Sequence, residues 1–319
     1  MSLDFFNSYS DTPLEDVSWA SARSSGVGVW LKREDLVHSD CSGNKWYKLL
    51  ENIRAFYCDD LEGIASFGGG FSNHLHALAH VGHLLSVPTV GFVRGNYSAE
   101  LTPTLKDCKS LGMNLVFLDK SRWQERDTDK FALEFQQDFP RYVLIPEGGA
   151  NTLAVKGCQL IGQSIDRQVS TMPIFPQPTK IFVACGTGAT LAGLVSGLPK
   201  HRYEVTGISV LKGVDTLTSF VDQLLVNVGA EQVPSWKILF DYHCGGYAKV
   251  SKALLSFIDD FERQFPVLLD PVYTAKVLFA INAMIDQGLI KAGENVIAVH
   301  TGGIQGRRGF KHFDKMATF

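Results

Sequence analysis

The sequence lacks the features of exported and membrane-spanning proteins. Its six cysteines are scattered over 319 residues without a C-x-x-C pair, which suits reduced thiols better than a disulfide framework or a zinc site. The opening residues, MSLDFFNSYSDTPLEDV, are acidic and contain no basic stretch followed by an apolar core, so we expect no signal peptide. No apolar run approaches the length of a transmembrane helix. These absences predict a cytoplasmic protein that does not enter a membrane.

An excess of positive charge is also missing. The net charge of −3 gives no electrostatic reason to expect binding to nucleic acid or to anionic lipid. No G-x-x-x-x-G-K-[ST] motif occurs, which disfavours a nucleoside triphosphatase. With 45% hydrophobic and 20% charged residues, the chain can bury a sizeable core in one large domain or in two domains.

Short apolar runs alternate with amphipathic stretches along most of the chain. Strands that alternate with helices form parallel sheets with helices on both faces, so this pattern predicts an α/β fold. A proline-rich connector, TMPIFPQPTK, separates the two halves of the chain. The runs that we interpret as strands are IASF, PTVGFV, NLVFL, YVLI, KIFVAC, VTGISV, KILF and NVIAV.

Glycine clusters follow several of these predicted strands. Glycine punctuates turns in any fold, and that explanation suffices for a single cluster. In open α/β sheets, however, ligands bind beyond the carboxyl ends of the strands, where such loops gather. Clusters at five strand ends therefore predict a shared cleft: Gly68–Gly70, Gly148–Gly149, Gly186–Gly188, Gly245–Gly246 and Gly302–Gly303.

The segment CGTGATLAG, residues 185–193, joins an apolar strand to an apolar helix. Backbone N–H groups in such a loop, together with the helix N-terminus, suit a phosphate dianion. The glycine spacing is not that of a dinucleotide fingerprint, because Leu191 occupies the third glycine position and no acidic residue ends the following strand. The segment predicts a site for the single phosphate of a small cofactor, with a purely structural turn as the alternative.

The segment FGGGFSNHLHALA, residues 67–79, is a second turn of this kind. Ser72, Asn73 and His74 occupy the first helical turn, where free N–H donors favour a carboxylate. His76, His80 and His83 share the solvated face of this helix, roughly opposite Leu78 and Leu85. We expect no cysteine or carboxylate beside them. We therefore predict no metal site on this helix.

Lys45 follows Gly43-Asn44 at a predicted helix start, where the helix dipole disfavours cations. It lies at the edge of the apolar stripe of its helix, with Lys48 one turn further along. A pair of surface lysines is one reading of this pattern. In the other reading the amine is desolvated near a second cation, has a lowered pKa, and is nucleophilic enough to form a Schiff base. Tyr273, in DPVYTAK, is a candidate proton donor or acceptor.

The motifs SGNKWYKL, GGGFSNH, PEGG, CGTGAT, GGY, DPVYT and HTGG occur in the order found in pyridoxal-phosphate enzymes related to tryptophan synthase β. Among these, the chain resembles the 1-aminocyclopropane-1-carboxylate deaminase and D-cysteine desulfhydrase family over nearly its whole length. The resemblance implies two doubly wound, mostly parallel α/β domains with the active site between them. Residues 1–47 and 156–319 would form the larger, cofactor-binding domain and residues 48–155 the smaller one. It also implies a homodimer.

The resemblance also implies where pyridoxal 5'-phosphate binds. Lys45 would bond the cofactor and carry the proton of the substrate Cα, and Lys48 would help to hold the phosphate. Asn73 would contact the pyridine hydroxyl, with Thr301 and Thr274 beside the ring. The phosphate loop would consist of Gly186, Thr187, Gly188, Ala189 and Thr190.

The substrate, a small amino acid, would lie against a second set of residues. By resemblance, Ser72 would bind its carboxylate, with Asn73 and His74 nearby. Tyr273 and Tyr247 would lie beside its reacting carbon. The resemblance thus makes Lys45, Ser72, Tyr273 and Tyr247 the catalytic set.

Departures from the family pattern separate two activities. Deaminases carry a glutamate where this chain has Thr274. A carboxylate there would keep the pyridine nitrogen protonated, whereas a neutral hydroxyl makes the cofactor ring a weaker electron sink. A weaker sink suits the expulsion of a thiolate, a good leaving group, better than the opening of a cyclopropane. Phe71, His76 and Ala77 also differ from the residues usual in the family.

The sequence thus predicts a pyridoxal-phosphate lyase that eliminates hydrogen sulfide from D-cysteine or a similar amino acid. Three alternatives stay open. The first is deamination of 1-aminocyclopropane-1-carboxylate to 2-oxobutanoate. The second is a non-catalytic binding protein with the same fold, and the third is a nicotinamide oxidoreductase, which the missing acidic residue disfavours.

Overall fold

The computed structural model describes residues 10–41 and 43–313. Within these residues ten strands form two sheets. The larger sheet has six strands, of which only β1 and β2 are antiparallel to each other. In spatial order they are β1 (Leu14–Asp16), β2 (Gly28–Lys32), β10 (Asn295–Val299), β7 (Thr179–Cys185), β8 (Tyr203–Ser209) and β9 (Ser235–Leu239).

The smaller sheet has four strands, all of them parallel. In spatial order they are β5 (Asn114–Leu118), β4 (Thr89–Arg94), β3 (Gly63–Gly68) and β6 (Tyr142–Ile145). Each apolar run that we interpreted as a strand lies in one of the two sheets. The predicted α/β fold with mostly parallel sheets is therefore confirmed, whereas β1 and β2 were not predicted.

Helices connect these strands and cover the sheets. Three short 3-10 helices also occur, at Glu34–Leu36, Glu147–Gly149 and Ile304–Gly309. The α-helices are α1 (Ala20–Ser24), α2 (Asn44–Cys58), α3 (Asn73–Leu85), α4 (Pro103–Ser110), α5 (Lys120–Gln124), α6 (Asp129–Asp138), α7 (Thr152–Val169), α8 (Ala189–Ser196), α9 (Leu217–Asn227), α10 (Lys252–Gln264) and α11 (Thr274–Asp286). None of the helices in the described part of the chain is long and apolar enough to cross a membrane.

Side-chain caps fix where several of these helices begin. Ser72 accepts a hydrogen bond from the backbone N–H of Leu75, and Asn151 accepts one from that of Ala154. Such a cap satisfies one of the N–H groups that have no partner within the helix, which explains why α3 and α7 begin where they do.

The two predicted domain boundaries fall inside helices. The boundary at residues 47 and 48 lies in α2, and the one at 155 and 156 lies in α7. Strands from residues 14–32 and 179–299 form the larger sheet, and strands from residues 63–145 form the smaller one. The exact division of the chain into domains stays a prediction.

Helices α2, α7 and α8 pack together with very little space between their backbones. A Cβ added at Gly157 of α7 would lie 1.9 Å from the carbonyl oxygen of Tyr47 in α2. A Cβ added at Gly193 of α8 would lie 2.3 Å from the Cβ of Cys158, the next residue of α7. Glycine at these two positions lets the three helices approach, and this packing places the Lys45 helix against the helix that follows β7.

Substitution of Gly157 tests this packing. We expect Gly157→Ala to lower the free energy of unfolding by about 1–3 kcal/mol, because the new methyl group meets a backbone carbonyl that cannot rotate away. Urea unfolding followed by circular dichroism measures the change. Gln163→Ala, on the exposed side of the same helix, is the control and should change stability by less than about 0.5 kcal/mol. Equal stability of the Gly157 variant and the unaltered protein would contradict the packing argument.

Candidate active site

A cavity of about 370 Å³ lies at the carboxyl ends of strands from both sheets. From the smaller sheet it is lined by residues after β3 and β6, and from the larger sheet by residues after β7 and β10. Of the residues that the sequence singled out, the structure brings twelve together in its wall: Lys45, Lys48, Ser72, Asn73, His74, Gly186, Thr187, Gly188, Thr190, Tyr247, Tyr273 and Thr301. Four of the five glycine clusters contribute glycines to this wall, and the fifth is followed directly by Tyr247.

Lys45 is held at the start of α2 by a turn that requires glycine. Gly43 has a φ of +70°, and a Cβ there would lie 2.0 Å from the carbonyl oxygen of Thr301. The Lys45 amine donates to Asn44 Oδ1 at 2.8 Å and lies 5.9 Å from the centre of the Tyr273 ring. Burial, and then the nearby Lys48 ammonium, lower the pKa of Lys45 to about 7. About half of the amine is therefore neutral and nucleophilic at neutral pH.

Lys48 lies one helical turn further along, and only 3% of it is exposed. Its amine donates to the carbonyl oxygen of Gly148 at 2.9 Å, which links α2 to the loop after β6. Burial also lowers the pKa of Lys48. The two lysines line the same cavity, so an anion that enters it meets positive charge on the α2 wall.

The loop after β7 forms the wall nearest to α8. Gly188 has a φ of +84° and caps α8, whose first-turn N–H groups have no partner within the helix. Thr190 Oγ1 accepts a hydrogen bond from Asn44 Nδ2 at 2.7 Å. This contact joins the start of α8 to the residue beside Lys45. The arrangement provides N–H donors for a phosphate across the cavity from the amine.

Helix α3 presents its first turn to the cavity from the smaller sheet. His74 is only 2% exposed, and its Nε2 lies 3.0 Å from Ser66 Oγ. The Ser66 hydroxyl donates to the carbonyl oxygen of Ile145 at 2.8 Å, which assigns the proton of the His74 ring to Nε2. Burial, followed by the charges of Lys45 and Lys48, places the pKa of His74 well below its usual value. His74 is therefore neutral at neutral pH.

Two tyrosines line the cavity on the larger sheet's side, and a buried carboxylate, Asp270, lies behind one of them. The rings of Tyr247 and Tyr273 meet edge to face, with centres 6.3 Å apart. Burial raises the pKa of both hydroxyls, so both are protonated at neutral pH. Asp270 is fully buried and accepts hydrogen bonds from the backbone N–H groups of Val272 and Tyr273. Burial raises the pKa of Asp270 to about 7.

Two residues of the predicted cofactor set do not line the cavity. Ala189 is fully buried behind the loop, as the first residue of α8. Thr274 is also fully buried, and its hydroxyl oxygen accepts a hydrogen bond from the backbone N–H of Thr301 at 3.3 Å. Both lie one layer behind residues that reach the cavity.

The other three departures from the family pattern, Phe71, His76 and Ala77, do not line the cavity either. Phe71 is 37% exposed and faces Gly309, where an added Cβ would lie 3.1 Å from its ring. Ala77 is buried, and the His76 ring lies beside Asp107. These substitutions therefore alter the surroundings of α3 rather than the residues that line the cavity.

The expectation that no carboxylate lies beside the α3 histidines is wrong. His76 Nε2 lies 3.3 Å from Asp107 Oδ2 in α4, and only 13% of the His76 side chain is exposed. The solvated face that we predicted is partly covered by α4, a contact that helical periodicity along α3 cannot reveal. Within residues 10–41 and 43–313, no group of three or more histidine, cysteine, aspartate or glutamate side chains is arranged so that it could hold a metal ion.

The 304–309 helix bridges the two sheets on one side of the cavity. Its Gln305 side chain donates to Asn73 Oδ1 and accepts from Thr104 Oγ1 at 2.6 Å. Arg308, in the same helix, forms an ion pair with Asp107. Polar contacts thus connect the segment after β10 to α3 and α4.

Sequence reasoning missed several residues of this site. We interpreted Asn44 only as part of the turn before Lys45, although its position next to Lys45 indicated that it could belong to the same site. Arg94 and Glu147 line the cavity at the ends of β4 and β6, where the strand-end rule could have found them. Asp270 accepts hydrogen bonds from N–H groups only two and three residues further on, and its place at the start of DPVYT was a local signal. Gln305 acts through contacts with distant parts of the chain and left no local signal.

The residues present fit pyridoxal phosphate. A neutral amine with a pKa of about 7 can bond an aldehyde carbon, as the cofactor requires. The N-terminus of α8 and the Lys48 ammonium can hold a phosphate dianion in the same cavity. The cavity volume of about 370 Å³ is within the range of roughly 300–1,000 Å³ that is usual for small-molecule sites.

Comparison with known proteins gives a family match over most of the chain. The family model described as pyridoxal-phosphate dependent enzyme matches residues 6–302. A D-cysteine desulfhydrase/1-aminocyclopropane-1-carboxylate deaminase of Arabidopsis thaliana, named as bifunctional, is 28% identical over 92% of this chain and 76% of its own. A D-cysteine desulfhydrase of Klebsiella pneumoniae is 26% identical over 92% of this chain and 91% of its own.

A solved structure gives the same match in three dimensions. The crystal structure of a homologue of 1-aminocyclopropane-1-carboxylate deaminase superposes with a TM-score of 0.82. The alignment covers 97% of this chain and 94% of that chain, at 26% identity. The overall architecture expected from the sequence motifs is thereby confirmed.

The lowered pKa of Lys45 can be measured directly. Competitive acetylation of cofactor-free protein should give a midpoint near pH 7 for Lys45, since only the neutral amine reacts. We expect Lys48→Met to move this midpoint to higher pH, because loss of the neighbouring positive charge stabilises the Lys45 ammonium. Lys32→Met removes another fully buried lysine that does not line the cavity, and it should leave the midpoint unchanged. A midpoint that does not move in Lys48→Met would contradict this account.

Proposed function

Because the chain belongs to the family of pyridoxal-phosphate-dependent enzymes, we propose that it is a lyase that deaminates D-cysteine by β-elimination. The products are pyruvate, ammonia and hydrogen sulfide, with one water consumed. Pyridoxal phosphate is its cofactor. The observation that carries the proposal is the half-buried Lys45 amine, which lines the same cavity as the α8 N-terminus and whose pKa is lowered to about 7 by burial and by Lys48.

The cofactor site uses residues from both sides of the cavity. When bound, pyridoxal phosphate would supply an electron sink for the negative charge that develops at the substrate Cα. Lys45 would anchor the cofactor at its aldehyde carbon, and Lys48 and the loop from Gly186 to Thr190 would hold its phosphate. Asn73 and Thr301 line the cavity where the ring would lie.

Lys45 is also the group that removes the Cα proton. Its pKa of about 7 means that the free amine can accept a proton and release it again at neutral pH. Asn44 Oδ1, at 2.8 Å, accepts a hydrogen bond from this amine and orients it. One side chain thus serves first as the anchor and then as the base.

The substrate carboxylate is proposed to bind at the start of α3. Ser72 caps this helix, and the free N–H groups of the first turn attract an anion. His74 is neutral with its Nε2 proton directed to Ser66, so it adds no charge there. On the other side, Tyr273 and Tyr247 line the cavity with protonated hydroxyls, which would donate a hydrogen bond to the leaving thiolate.

Thr274 favours thiolate expulsion over opening of a cyclopropane. Its hydroxyl is neutral and already accepts the Thr301 N–H, so it cannot act as a carboxylate counter-ion to the ring nitrogen. A weaker electron sink suffices when the leaving group is a thiolate. This is the argument for D-cysteine as the substrate.

Deamination of 1-aminocyclopropane-1-carboxylate is the second candidate. It is favoured by the Arabidopsis relative, whose name covers both activities, and by the solved structural neighbour. The same cofactor and the same α3 carboxylate site would serve both substrates, which differ in the bond that breaks.

We further propose that the protein is a cytoplasmic homodimer. The homodimer is expected from the family resemblance alone, and light scattering of the purified protein would measure its mass. The cytoplasmic location is supported by the cysteines, all six of which are free thiols.

Product analysis separates the two activities. With D-cysteine we expect equal amounts of sulfide, pyruvate and ammonia, and with 1-aminocyclopropane-1-carboxylate a kcat/KM at least tenfold lower. Sulfide is measured colorimetrically, and the oxo acids are measured by coupled dehydrogenases. Formation of 2-oxobutanoate without sulfide release from D-cysteine would replace the first proposal with the second.

Substitution of Lys45 tests the proposed anchor and base. Borohydride reduction of the loaded protein, followed by peptide mapping, should place the phosphopyridoxyl label on Lys45. Lys45→Ala should fold but lose turnover by about 10³-fold or more, since it removes both the anchor and the proton carrier. Lys106→Ala, on α4 outside the cavity lining, is the control that should retain activity and labelling. A label on any other lysine would contradict the assignment of Lys45 as the cofactor anchor.

A further inference from the structure

A second lysine lies in the first turn of a helix beside the cavity. Lys276 is the third residue of α11, and none of its surface is exposed. As at Lys45, the positive end of the helix dipole disfavours an ammonium at this position. Burial of a charge is also costly unless hydrogen bonds and opposite charge compensate for it. The position therefore calls for a specific contact of the Lys276 amine.

The Lys276 amine makes that contact with the loop that carries Tyr247. Its Nζ donates to the carbonyl oxygen of Gly246 at 2.8 Å. Burial lowers the pKa of Lys276 to about 8, and the nearby Cys244 thiol and Asp270 carboxylate oppose this effect. The amine thus remains mostly charged at neutral pH, and its hydrogen bond is charge-assisted.

The backbone of the loop of residues 243–249 has a conformation that requires stabilising contacts. Its residues Cys244, Gly245, Gly246 and Ala248 all have φ values between +53° and +117°. For the two non-glycine residues this left-handed region is strained. Within the loop, the hydrogen bonds span two or three residues, from Gly245 and Gly246 to His243 and from Lys249 to Gly246. The bond from Lys276 ties the loop to α11.

Tyr247 is the side chain of this loop that reaches the cavity. It is 52% exposed, and its ring meets the edge of the Tyr273 ring. Tyr273 is the residue immediately before α11. The start of α11 therefore fixes both tyrosines. Tyr273 is the residue next to it in the chain, and Tyr247 follows Gly246, which accepts the hydrogen bond from Lys276.

We propose that Lys276 is a positioning residue whose ammonium holds the 243–249 loop against α11 and thereby keeps Tyr247 in the cavity wall beside Tyr273. Its effect on catalysis rests on the proposed function, in which Tyr247 lies next to the substrate. Its effect on the loop is independent of any reaction. The two effects are tested separately.

Hydrogen–deuterium exchange of the cofactor-free protein tests the effect on the loop. In Lys276→Met, which keeps the volume but removes the donor, backbone exchange in residues 243–250 should accelerate on the order of tenfold, as expected for the loss of one charge-assisted hydrogen bond. Lys32→Met is the matched control, because Lys32 is equally buried but donates to Thr12 and Ser164 instead. It should leave exchange in the loop unchanged.

Unchanged exchange of the loop in Lys276→Met would overturn the proposal. If that variant does not fold, Lys276→Gln replaces it, since its shorter side chain retains a polar end but cannot reach Gly246 in the same way. Loop exchange should again accelerate, and unchanged exchange would again overturn the proposal.

A double-mutant cycle tests the effect on catalysis in the loaded enzyme. Lys276→Met should lower kcat/KM for D-cysteine about tenfold in the unaltered background. It should lower it less than about twofold in the Tyr247→Ala background, where no side chain is left to position. Equal effects in the two backgrounds would show that Lys276 does not act through Tyr247. Failure of the unaltered protein to release sulfide would instead overturn the proposed function, and the exchange measurement would still decide the role of Lys276.

Discussion

The site depends on the removal of the Lys45 amine from water beside a second ammonium. In water an alkyl amine is protonated at neutral pH, and here burial and Lys48 bring the pKa of Lys45 to about 7. This effect requires the start of α2 to lie in the wall of the cavity. Gly157 allows this because it lets α7 approach the backbone of α2. Helix α7 also packs closely against α8, and the N-terminus of α8 reaches the same cavity.

The electrostatics of the cavity follow from the same packing. Lys45, Lys48 and Arg94 line it, and Glu147 is the carboxylate among the described lining residues. Burial raises the pKa of Glu147, and the charges of nearby arginines oppose this effect. The cavity is therefore positive on balance, and two helix N-termini add to this potential. A cofactor with a phosphate dianion and a substrate with a carboxylate match this field.

Local sequence patterns predicted most of the fold because apolar runs between glycine turns are local signals. They missed β1, a three-residue edge strand with two acidic residues, and β2, which pairs with β10 from the far end of the chain. The motifs also predicted most of the cavity wall. They did not predict Lys276 or Gln305, because the contacts of these residues join segments distant in sequence. Asp270 was also missed, although its hydrogen bonds to Val272 and Tyr273 are local. Nor did they reveal that Asp107 lies beside His76, since that contact comes from a different helix.

The two sheets are joined unequally around the cavity. On one side α2, α7 and α8 share a continuous apolar core, whose separation would expose hydrophobic surface to water. On the other side, Gln305 contacts Asn73 and Thr104 through polar bonds, and Arg308 pairs with the partly exposed Asp107. Water can replace these polar partners at little cost in free energy. The two sheets are thus joined by a strong apolar contact on one side of the cavity and by weaker polar contacts on the other. The weaker side includes Asn73, the residue proposed to contact the cofactor ring.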